Sequence, residues 1–141
     1  MRRVILTAIL VLTTFAPASA EVRILASPGG DVVPYMKLFA LMKLSGERVV
    51  IDGPCLSACT LLLSAVPRER ICVTRRAVLG FHAAKLVDGK GRKYSAGELT
   101  RLLTATYPPP VRAWISRHGG LTSKPIFLKG RELAALYRPC A

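Results

Sequence analysis

Beyond its first twenty residues the chain holds no apolar run near the roughly 20 residues needed to cross a bilayer, so no membrane-spanning helix is expected there. Internal repeats and low-complexity tracts are also missing. Acidic residues are scarce, 8 against 21 Lys and Arg, which leaves a formal net charge of +13. Charge of that sign suits nucleic acid, an anionic membrane surface or an acidic substrate. Nucleic acid is not expected, because no aromatic ladder runs between the basic groups Arg68/Arg70, Arg75/Arg76, Lys85 to Lys93 and Lys124 to Arg131. The cysteines lack the C-x₂-C spacing of a metal-ligand set or a dithiol redox motif, and His82 and His118 are far from them in sequence, so no metal and no cofactor are expected.

Residues 1–20 have the layout of a secretory signal, with Arg2-Arg3 as the charged start, Val4 to Ala16 as the apolar stretch and Ala18-Ser19-Ala20 as the cleavage site. The chain is therefore expected to be exported, to the periplasm or beyond. Residues 21–141 would form a single domain around one core. The cut removes only Arg2 and Arg3, so nineteen basic residues still face eight acids, a net +11. All four cysteines, Cys55, Cys59, Cys72 and Cys140, lie in the mature part. In an oxidising compartment an even count in a small domain reads as two disulfides.

Val22 to Ala26 predicts a short strand closed by Ser27-Pro28-Gly29-Gly30. Asp31 can cap a helix whose apolar positions recur every three and four residues from Val32 to Met42 and which stops at Ser45-Gly46. Arg48 to Asp52 predicts the next strand, a β-turn-α-β order that favours parallel strands. A helix from Ala58 to about Val66, strands at Ile71 to Thr74 and Ala77 to His82, and a basic, glycine-bearing loop from Lys85 to Tyr94 follow. Ser95 and Glu98 read as a capping box opening a helix to about Thr104. A further helix passes through Trp114, then come a short strand at Ile126 to Leu128 and a last helix from Gly130 to Tyr137.

The central stretch is Val49 to Leu63. It predicts strand, tight turn and helix, with Ser57 at the turn beside the free N–H groups of the helix start. Ser57 is thus a candidate nucleophile, and an N-cap serine is the structural alternative.

The order of these motifs resembles the proteolytic subunit of the Clp protease, in the Clp/crotonase superfamily. There an SPGG turn precedes a helix, a G-x-x-x-S segment carries the nucleophile, and a histidine ends the next long strand. Here the matching residues are Ser27-Pro28-Gly29-Gly30, Gly53 to Ser57, and His82 at the end of Ala77 to His82, with Ile126 to Glu132 similar to the family's segment before its last helix. The resemblance implies an α/β fold of repeated β-β-α units with a short, mostly parallel sheet and surrounding helices. It implies Ser57 as nucleophile, His82 as base, and the backbone N–H groups of Gly29 and Ala58 as an oxyanion hole. The expected activity is that of a serine hydrolase or peptidase on a peptide or acyl substrate.

Three departures qualify that expectation. Gly119 to Lys124, where the family carries the acid that orients the histidine, contains no carboxylate, so a Ser-His dyad is expected, with Asp88 as a substitute partner. The family's preceding strand and helix are not matched, and export separates the chain from cytosolic ATP, so no ATP-driven unfoldase is expected as a partner. The flanking cysteines suggest Cys59–Cys72 with Cys55–Cys140, or alternatively Cys55–Cys72. On the same fold the chain could instead be a non-catalytic, disulfide-stabilised basic binding or structural module, or bind an anionic envelope surface.

Overall fold

Val49, Val50 and Ile51 belong to β2 (Arg48–Ile51), the middle strand of a parallel sheet, and the rest of the chain is laid around it. The computed structural model describes residues 20–141; the secretory-signal reading of residues 1–20 falls almost wholly outside them. β1 (Glu21–Ile24) pairs with β2 from Glu21 opposite Arg48 to Ile24 opposite Ile51. The connection is α1 (Val32–Ser45), capped by the Asp31 carboxylate on the Val33 N–H and closed by Gly46. β4 (Ile71–Val73) lies parallel on the other side of β2. Strand ends that share a direction put the turns after β1 and β2 at one edge of the sheet, as the sequence pattern requires.

The chain then crosses into a second small sheet. Pro54–Leu56 forms β3, an element the sequence does not announce, parallel to β5 (Val78–Phe81). β8 (Ile126–Lys129) closes the sheet antiparallel to β5. The segment after β1 links the sheets: the Ser27 N–H donates to the Pro54 carbonyl and the Leu56 N–H to the Ser27 carbonyl. Gly53 makes this crossing possible, since a Cβ there would sit 1.9 Å from the Leu25 carbonyl oxygen. Asp52, just before the crossing, accepts hydrogen bonds from Arg23, Arg76 and Thr74, and these hold its carboxyl well below the usual carboxylate range.

Helical segments cover both sheets. A 3₁₀ turn (Ser57–Leu61) runs into the single turn of α2 (Leu62–Ala65), so the helix expected from Ala58 is shorter and tighter than its apolar run suggests. α3 spans Gly97–Thr106, α4 Pro109–Arg117 and α5 Gly130–Leu136. The Ser95–Glu98 capping box does not form: Ser95 is in a strand, Ala96 occupies the cap position, and Glu98 pairs with Arg101. The described residues therefore make a mixed α/β fold of small sheets with five α-helices. One apolar cluster unites them, with Phe39 and Met42 of α1, Val49 and Ile51 of β2, and Phe81, Trp114, Leu128 and Tyr137 inside. α1 is apolar almost all round and leaves Leu38, Leu41 and Leu44 in solvent. No described helix is long and apolar enough to cross a membrane.

Two disulfides are present, and neither expected pairing is among them: Cys55 bonds Cys59 and Cys72 bonds Cys140. Alternation along a strand explains the difference. Ile71 and Val73 point into the core that contains Cys59, so Cys72 between them faces the other way. There the C-terminal segment runs parallel to the β4 edge, with the Val73 N–H donating to Arg138 and the Cys140 N–H to Val73. The 3₁₀ turn meanwhile brings the Cα of Cys59 to 5.3 Å from that of Cys55.

Candidate functional site

Ser57 stands where β3 gives way to the 3₁₀ turn, and its backbone is in the left-handed region at φ 54°, the one such non-glycine residue among those described. For a serine this conformation costs on the order of 1–3 kcal/mol and persists only where neighbours enforce it. Three constraints do so here. The Cys55–Cys59 disulfide closes the loop that contains it. The Thr60 hydroxyl donates to the Ser57 carbonyl at 2.7 Å. Tyr107 in turn donates to the Thr60 oxygen at 2.6 Å, and burial pushes its phenol up to about 12, so the donor keeps its proton throughout the neutral range. Leu56, not Ser57, occupies the N-cap position of the 3₁₀ turn, and no side-chain hydrogen bond caps it, so the N-cap alternative for Ser57 does not hold.

Gly29 packs directly on this elbow. A Cβ at Gly29 would lie 2.6 Å from the Ser57 Cβ and 3.0 Å from the Ala58 nitrogen, and its φ of 80° suits glycine. The Gly29 N–H takes part in no backbone hydrogen bond, and the Ala58 N–H precedes the first bonded turn of its helix. Gly29 and Ala58, whose N–H groups the resemblance implicates, thus both lie against the Ser57 elbow.

His82 follows β5 directly and lines the same cleft of about 840 Å³ as Gly29, Ser57 and Ala58. Its Nδ1 lies 2.7 Å from the carbonyl oxygen of Ala83. A carbonyl can only accept, so in the neutral imidazole Nδ1 carries the proton and the lone pair falls on Nε2. The Ala83 N–H donates to the Thr122 carbonyl, so the carboxylate-free segment from Gly119 to Lys124 does run beside the histidine, while the group that meets Nδ1 is the carbonyl of Ala83 itself. Asp88 is not that group: its carboxylate is engaged by Arg92, Tyr94 and the Lys90 N–H.

The loop expected from Lys85 to Tyr94 is a hairpin, β6 (Lys85–Val87) and β7 (Lys93–Ser95), and it forms one wall of the cleft. Asp88-Gly89 after Leu86-Val87 is the turn signal that the surrounding charges obscure. Thr60 and Tyr107, which hold the elbow, carry no sequence signal of that role. Among the described residues no group of His, Cys, Asp and Glu side chains could hold a metal ion. Neither a scan against family models nor a search of the curated proteins finds a match to this chain.

Proposed function

We propose that this chain is an exported serine hydrolase or peptidase on a Clp/crotonase-like scaffold, with Ser57 as nucleophile and His82 as general base. The observation that carries the proposal is the left-handed Ser57 at a strand-to-helix elbow, lining the same cleft as His82. In the proposed reaction Ser57 Oγ attacks a carbonyl carbon and its proton passes to His82 Nε2. The oxyanion forms against the N–H groups of Gly29 and Ala58. Collapse expels the leaving group, which takes the proton from His82. Water then attacks the acyl-serine, giving its proton to His82, and Ser57 is regenerated. The Ala83 carbonyl fixes the productive tautomer but supplies no negative charge to the imidazolium, so turnover is expected to be slower than that of a full triad. Both disulfides are compatible with the proposed export.

The test is labelling with a fluorophosphonate probe followed by peptide mapping. Wild type should be modified at Ser57, Ser57→Ala should not be labelled, and His82→Ala should label at least about 100-fold more slowly. Labelling that ignores Ser57, or none at all, would remove the hydrolase and leave a disulfide-stapled basic binding module on the same scaffold.

A further inference from the structure

The hairpin wall gives the cleft a chemical character of its own. Lys85 and Val87 are two apart on β6, and Lys93 stands opposite Val87 on β7, so all three share one face of the hairpin. Both lysines line the cleft, and neither has an ion-pair partner among the described residues. As diagonal neighbours across the ladder they are about 7–8 Å apart, near enough for one carboxylate or phosphate to engage both. Much of the remaining lining is aliphatic, with Val33, Leu99, Leu103 and Leu121 beside the hydroxyl groups of Thr60, Thr100 and Tyr107. Among the described residues Asp31 is the one carboxylate lining the cleft, at the start of α1, where its Oδ1 accepts from the Val33 N–H. Lys85 follows His82 by three residues, which bounds their Cα separation at about 11 Å.

We infer that the cleft takes an aliphatic acyl compound with an anionic group at its far end, the carbonyl at Ser57, the chain against the leucines and the anion on Lys85 and Lys93. The chemistry at Ser57 rests on the hydrolase proposed above, whereas the binding preference is separable from it. A neutral chain would fill the apolar wall but leave two ammonium groups without a partner, and a short charged substrate would forgo the apolar contact.

Two measurements test this. In the first, 8-(dansylamino)octanoate and its methyl ester are titrated by fluorescence into Ser57→Ala protein. The carboxylate should bind about tenfold tighter, and Lys85→Ala with Lys93→Ala should abolish that difference. In the second, wild type is assayed with p-nitrophenyl octanoate and the p-nitrophenyl monoester of suberic acid. The monoester should have the higher kcat/KM by a similar factor, carried by KM and lost in the double lysine variant, whose folding is checked by circular dichroism and thermal unfolding. Anion-selective, lysine-dependent binding without Ser57-dependent hydrolysis would uphold the ligand class and defeat the hydrolase. Equal binding of the two dansyl probes, or a preference that survives the lysine substitutions, overturns the inference whatever the hydrolysis shows.

Discussion

The two disulfides close loops of very different size, and each marks a region with its own task. Cys72–Cys140 spans 68 residues and ties the C-terminal segment to the edge of the parallel sheet. Cys55–Cys59 spans four and closes on the elbow that carries Ser57. In the chain-entropy account, stabilisation grows with the logarithm of the enclosed loop, about 4 kcal/mol for the long one and about 2 kcal/mol for the short one. The long bridge is therefore the greater contributor to stability. The short one, in which the Ser57 backbone would otherwise relax from an unfavourable conformation, contributes more to the site. A small basic chain has thus stabilised its sheet edge and its strained turn by the same chemistry at two scales.

Replacing Cys72 and Cys140 by alanine should lower unfolding free energy in urea by about 4 kcal/mol, while the folded protein keeps its rate of Ser57 labelling. Replacing Cys55 and Cys59 by alanine should cost about 2 kcal/mol yet slow Ser57 labelling far more than the first pair does. If the two pairs slow labelling equally, the division between scaffold and site is wrong.

Smaller changes sharpen the contrast. Tyr107→Phe deletes the donor to Thr60 and should cost about 1 kcal/mol, with slower Ser57 labelling as the elbow loosens. Alkali should act on both regions. Tyr107 and Tyr137 are each pushed up to about 12 by burial, above the ordinary value near 10. A raised folded value means that the stabilisation is complete below about pH 10 and is lost as pH rises towards 12. Thermal unfolding followed across that window should show the loss, and Tyr107→Phe and Tyr137→Phe should each remove part of it.

How much of this the sequence discloses depends on whether a feature is local. The helix from Val32 to Ser45, its Asp31 cap and Gly46 stop, and the strands β2, β4 and β5 follow from periodicity and β-branched runs. The shared edge of the SPGG and Gly53 to Ser57 turns follows from parallel order. β3 does not, because three residues beginning with proline are extended only through the partner strand and the Ser27 backbone. The disulfide pairing depends on which face of β4 Cys72 occupies, a matter of register rather than spacing. The Ala83 carbonyl that orients His82 is a backbone group, and every residue has one. The left-handed Ser57 likewise has no signature in its own residue type, since contacts with Gly29 and Thr60 and the Cys55–Cys59 bridge around it impose the conformation.

The most direct measurement is a crystal structure of the protein after reaction with a fluorophosphonate. The account predicts phosphorus bonded to Ser57 Oγ, its phosphoryl oxygen about 3 Å from the N–H groups of Gly29 and Ala58, and His82 Nε2 facing the same centre with Nδ1 still on Ala83. An adduct with that oxygen turned to solvent, or a Ser57 left unmodified beside an accessible cleft, would contradict it.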